Sequence, residues 1–142
     1  MPRRGLVMAG SMENRDGNTW KITLLKLVPD ILHNLIFRII LDKTLNKNPE
    51  IRKRLKEISG KTFLLEIRDI DKSYVFYVDN DTVKVDFGKS RKPDVTMQGN
   101  FDTFISLFLR KADADSLFFS RKIVVKGEVK TSVFFKNLLE HL

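Results

Sequence analysis

Between residues 63 and 87 the apolar side chains recur at every second position, and on either side of that stretch they recur at helical spacing. Phe63, Leu65 and Ile67 alternate with Leu64, Glu66 and Arg68, and after a polar turn at 69–72 a second run covers 74–78. Asp79-Asn80-Asp81 is a tight-turn signal, and Val83, Val85 and Phe87 make a third alternating run. Runs joined by turns this short pair antiparallel, which predicts a meander with one buried face. Residues 95–98, stopped by Gly99, give a fourth strand, and residues 123–125, ended by Gly127, give a fifth.

The flanking segments read as helices. Trp20, Leu24, Leu27 and Val28 are helically spaced with Lys21 and Lys26 between them, a segment that packs on the domain or lies on a membrane surface. Pro29 suits the opening of a second helix, whose Ile31, Leu32, Leu35, Ile36, Ile39 and Ile40 form one broad apolar face, the face expected to point inward. Pro49 starts a short charged helix that ends at Ser59-Gly60. Asn100 is placed to cap a helix with Phe101, Phe104, Ile105, Phe108 and Leu109 on one side. Asp113 caps a single turn carrying Leu117, Phe118 and Phe119. From Glu128 a last helix sets Val129, Val133, Phe134, Leu138, Leu139 and Leu142 on one face. The order predicts an α+β fold, a five-stranded mainly antiparallel sheet covered by helices.

The length of 142 residues suits one domain, expected over 20–142, behind a leader or tag remnant over 1–19. Gly10-Ser11-Met12 reads as a cloning scar ahead of a natural start at Met12. With no cysteine there is no disulfide and no thiol catalysis. The two histidines, His33 and His141, have no partner at metal-ligand or triad spacing, and no glycine-rich phosphate loop occurs. No catalytic residue, metal site or cofactor is expected, and the chain is predicted not to be an enzyme.

A net charge of +8 attracts either nucleic acid or anionic lipid. The densest basic stretch, residues 43–61, carries no aromatic residue to stack on a base, so no nucleic-acid partner is expected. The most apolar run, residues 31–41, is interrupted by His33, Asn34 and Arg38, and no signal peptide is visible. A cytoplasmic protein with peripheral membrane contact is the expectation. Eleven phenylalanines against one Trp and two Tyr suit a dry core or a lipid-lined cavity. Spacing alone leaves both open.

The chain from Gly60 onward resembles the sterol carrier protein type-two domain. The resemblance rests on Pro93-Asp94-Val95-Thr96-Met97, Phe101-Asp102-Thr103-Phe104, the run from Leu117-Phe118-Phe119-Ser120-Arg121 through Gly127, and Lys136-Asn137-Leu138-Leu139. Arg68-Asp69-Ile70-Asp71, Asp113-Ala114-Asp115-Ser116 and the Lys26–Pro29 run are similar to the bacterial accessory factors of oxygen-independent ubiquinone biosynthesis. The resemblance implies a sheet and helices around a hydrophobic cavity. It also implies a non-catalytic carrier of an isoprenoid quinone precursor, working beside ubiquinone-pathway hydroxylases. Leu35, Ile36, Ile39, Ile40, Phe101, Phe104, Ile105, Phe108, Phe119, Phe134, Leu138 and Leu139 are the expected lining. A carrier of phospholipid or fatty acyl chains, and an interaction module with a filled core, are the alternatives.

Overall fold

The computed structural model describes residues 23–24 and 26–142; the predicted leader, the tag-remnant reading of residues 10–12 and Trp20 lie outside the described residues. Five strands form one sheet in the order β3-β2-β1-β4-β5: β1 (Thr62–Ile67), β2 (Lys72–Asp79), β3 (Thr82–Val85), β4 (Val95–Gly99) and β5 (Ile123–Gly127). The first three make the predicted antiparallel meander. Asn80, in the turn between β2 and β3, takes a φ of 57°, a conformation asparagine tolerates. Strand β4 then crosses back and runs parallel to β1, and β5 pairs with it antiparallel. Asp94 sets the register of that crossover. Its backbone N–H donates to Thr62 O at 2.8 Å, and its carboxylate accepts from Thr62 N at 2.8 Å.

Alternation along the strands sends Phe63, Leu65, Tyr74, Phe76, Val83, Val95, Met97 and Ile123 into the core. The opposite face is mixed: Glu66, Gln98 and Arg68 join side chain to side chain across it, and Arg91 lies 3.6 Å over the Tyr77 ring. The helices are α1 (Asp30–Thr44), α2 (Pro49–Leu55) with a 3-10 turn (Lys56–Ile58), α3 (Phe101–Phe108), α4 (Ala114–Phe119) and α5 (Val129–Leu139). They bring Phe37, Leu41, Ile51, Phe104, Phe108, Leu117 and Phe135 to the same core. An α+β chain with a mostly antiparallel sheet is therefore the architecture, as expected.

Local signals decide several helix ends. Asn48 caps α2 through Glu50 N and Ile51 N, and Asp113 caps α4 through Ser116 N. Asn100 makes no side-chain cap on α3. Asp69, in the β1–β2 turn, accepts the Phe101 N–H at 2.9 Å in its place.

Helix α1 turns a different side inward from the one expected. It buries His33, Asn34, Phe37 and Leu41, while Ile31, Leu32, Leu35, Ile36 and Ile39 stay exposed. Its roll is set at the C-terminal end. Asn46, two residues beyond α1, accepts from Val83 N at 2.7 Å and donates to Val83 O at 2.9 Å. That bracket, with Leu41 and Leu45 fully buried next to it, holds the Phe37 side against the sheet. Replacing Asn46 with alanine should lower stability by about 1–3 kcal/mol, since it leaves a half-buried strand edge without partners. Urea denaturation checks this; a loss below ~0.5 kcal/mol would show the bracket to be ornamental.

Helix α5 departs in part. Leu138 and Leu139 are buried as expected, but Val129 and Val133, expected beside them on the inner face, are exposed, and Thr131 and Phe135 are buried instead. The Phe135 ring sits 4.5 Å from Phe63 and 5.8 Å from Phe76. The helix is thus anchored by an aromatic side chain and is not a loose cover.

Candidate lipid-binding site

The twelve expected lining residues divide into three groups. Phe104, Phe108, Leu138 and Leu139 belong to the closed core. Ile40, Phe101 and Phe134 are half-buried against it, and Ile105 is half-buried on α3. Leu35, Ile36, Ile39 and Phe119 lie outside it, Phe119 being 87% exposed. The periodicity of α1 carries apolar residues on two sides, which is why spacing alone selected the outer one.

Two clefts open on either side of the C-terminal end of α3, one towards the end of α1 and the other towards α4 and α5. The larger, of about 490 Å3, combines Phe108, Leu109 and Leu142 with the cations Lys43, Lys47 and Arg110. Among the described residues these three cations make no ion pair. Beside it, sharing Arg110, lies a cleft of about 400 Å3 that includes Leu107, Asp115 and Leu139. Lys136 pairs there with Asp115, a contact that holds the Asp115 carboxyl below its usual range. Of the expected lining, Phe108 reaches the first cleft and Leu139 the second. Both volumes are in the range of small-molecule sites.

From the larger cleft a row of rings runs under α1. Phe108 lies 6.3 Å from Phe37, centroid to centroid, and Phe37 lies 4.9 Å from Tyr74. The row ends on buried polar groups. Tyr74 Oη and His33 Nδ1 are hydrogen-bonded at 2.8 Å, both residues nearly inaccessible. Next along the helix is Asn34, 4% exposed, whose Oδ1 has no hydrogen-bond partner. An acceptor left bare in such surroundings costs about 1–3 kcal/mol. On the rim above, Lys72 Nζ and Asp30 form an ion pair at 2.8 Å.

Burial pushes the Tyr74 hydroxyl up from 10.0 to about 12, with the Asp30 charge adding to it. The group therefore stays protonated where an unfolded tyrosine ionises. Between pH 10.0 and about 12 the unfolded chain releases a proton that the folded one keeps, so the stability this group contributes is lost as pH rises through that window. Tyr74→Phe should flatten that part of the denaturation-versus-pH curve. An unchanged alkaline slope in the variant would assign the loss to other groups.

Sequence reasoning singled out neither Asn34 nor the His33–Tyr74 pair as a site. The signal was present as polar residues breaking an apolar helix, and only the roll of α1 shows which side they take. Phe37 and Phe135 were legible as i, i+4 steps to Leu41 and Leu139, but a stronger-looking neighbouring face competed.

The SCP-2 sterol transfer family matches residues 41–140, most of the chain and every strand described above. This chain belongs to that family. Most of α1, with its exposed apolar strip, lies outside the matched residues. The Escherichia coli (strain K12) ubiquinone biosynthesis accessory factor UbiT is 28% identical over 86 residues, which is 61% of this chain and 48% of that protein. The chain thus spans about half the length of the curated relatives it matches. Among solved structures, the UbiJ-SCP2 ubiquinone synthesis protein superposes with a TM-score of 0.63 at 18% identity, covering 78% of this chain and 95% of that one. The sterol carrier protein domain 2 of Helicoverpa armigera gives 0.54 at 18% identity, covering 74% and 84%. At these identities the superpositions establish the shared SCP-2 fold. Among the described residues no helix is long and apolar enough to cross a membrane.

Proposed function

We propose that this SCP-2 domain is a non-catalytic carrier of an isoprenoid lipid, an accessory factor in oxygen-independent ubiquinone biosynthesis that presents its cargo to the pathway's hydroxylases. The observation that carries the reading is the similarity to UbiT within an SCP-2 domain whose 490 Å3 cleft opens onto Phe108, Leu109 and Leu142. Transfer of a lipid tail from water gains about 0.8 kcal/mol per methylene, enough for retention without a polar contact. Organic extraction of the purified protein with mass spectrometry of the extract tests it. A polyprenylated phenol or quinone near one per chain supports the reading. Mixed phospholipids keep the carrier and remove the pathway, and a lipid-free protein that takes up none of these removes the carrier.

The cargo is loaded at the inner face of a bacterial membrane, where the domain docks peripherally through α1. Ile31, Leu32, Leu35, Ile36 and Ile39 are 39–64% exposed, and a net charge of +8 favours anionic headgroups. The double variant Ile36→Glu, Ile39→Glu should cut association with anionic vesicles by roughly tenfold or more while the fold persists. Vesicle sedimentation checks this, and unchanged binding would move the contact elsewhere.

A second reading is favoured by one observation: the rings of Phe63, Phe76 and Phe135 fill the middle of the core. Under it the domain is an interaction module using the exposed Phe119, Val129 and Val133. Phe119→Ser with Val129→Lys should then abolish partner capture and leave any lipid load intact, whereas the carrier reading expects no such separation.

A further inference from the structure

Asn34 is the one described residue with a buried side-chain oxygen that nothing satisfies. Asn34 and Phe37, three residues apart, both lie on the buried side of α1. Phe37 stacks near Tyr74, their centroids 4.9 Å apart, and Tyr74 shares its hydrogen bond with His33, the residue before Asn34. An amide oxygen in such a place is complemented only by a donor, and the donor that a prenylated phenol or hydroquinone brings is its hydroxyl. The Phe108–Phe37–Tyr74 row leads from the 490 Å3 cleft to the buried side of α1 that carries Asn34, and a turn of the Phe37 ring would open the way for the head of a chain lying in the cleft.

We propose that Asn34 Oδ1 accepts the hydroxyl of a prenylated phenol or hydroquinone bound between α1 and β2, so that the protein selects hydroxyl-bearing quinone precursors over the quinone itself. The proposal rests on the lipid-carrier reading and adds to it a headgroup rule. A quinone's ring oxygens only accept, and a methyl ether has lost its donor; either leaves the amide oxygen bare and buries a second acceptor beside it. Discrimination against a ligand that lacks the matching group is large when the site's own polar atom is thereby stranded. The His33–Tyr74 pair keeps the neighbouring polar atoms occupied, which leaves Asn34 to make the distinction.

The test is a matched set with one tail: ortho-farnesylphenol, its methyl ether and the corresponding farnesyl para-benzoquinone. Each is titrated into the delipidated full chain by competition with a fluorescent lipid. The phenol should bind roughly tenfold tighter than the other two. Asn34→Leu should bring the phenol and the ether to the same level without weakening the ether, and its ligand-free melting temperature should equal or exceed that of the parent, since it removes a stranded acceptor. Asn34→Ala repeats the comparison if the leucine does not fit. Equal affinity for phenol and ether in the parent overturns the headgroup rule while the carrier stands. So does a variant that keeps the preference, or one that melts well below the parent. If none of the three ligands binds, the carrier reading falls and takes the rule with it.

Discussion

Replacing Phe135 with alanine will lower the stability of this domain by about 3–5 kcal/mol, the range for emptying a fully buried phenylalanine site. Phe135 is 1% exposed and contacts the rings of Phe63 and Phe76, themselves stacked at 5.1 Å, and Phe76 in turn meets Phe37 at 5.7 Å. One ring therefore ties α5 to β1 and β2 and indirectly to α1. Helix α5 has no side-chain N-cap, so most of its stability comes from this packing. Guanidinium or thermal denaturation gives the number. A loss under ~1.5 kcal/mol would mean that α5 relaxes into the gap, and that the space beneath it is adaptable enough to hold cargo.

Gly127→Ala should be comparably damaging for a different reason. Gly127 has a φ of 111°, in a region that side chains avoid, and a Cβ built there would lie 2.2 Å from the Asp94 carbonyl oxygen. That oxygen accepts the Glu128 N–H at 3.0 Å, while the Asp94 carboxylate and amide hold Thr62. The β1–β4 register and the β5–α5 corner consequently share one residue. Relief of the clash must open one of them, a loss on the order of 3 kcal/mol. Amide hydrogen exchange should show β4 and β5 deprotecting together. An alanine variant with parental exchange rates would contradict the geometry.

Much of the fold was legible because its strands obey period two on a sheet covered on one side. Leu65-Glu66-Ile67 and Val83-Lys84-Val85 announce their faces without help. The parallel placement of β4 was not legible, for it depends on Asp94 meeting Thr62 across thirty-odd residues of chain. The face of α1 and the N-terminal half of the α5 face were misread for a common cause. Each helix has apolar residues on more than one side, and which side is buried is decided by contacts remote in sequence: Asn46 with Val83 for α1, Phe135 with Phe63 for α5. The candidate site inherits that ambiguity. Phe108 and Leu139 were readable as apolar positions near a cleft, whereas Asn34 looked like an interruption until the helix was rolled into place.

The bracket of Asn46 on Val83 also bears on how copies of this protein can meet. An outer strand with free amides and carbonyls is a template, and a sheet with two such borders can grow without limit. Here an asparagine side chain stands in for the neighbouring strand and occupies both main-chain groups of Val83. That border of the sheet is thereby blunted at Val83, which works against the open-ended strand addition that turns dispersed proteins into ribbons.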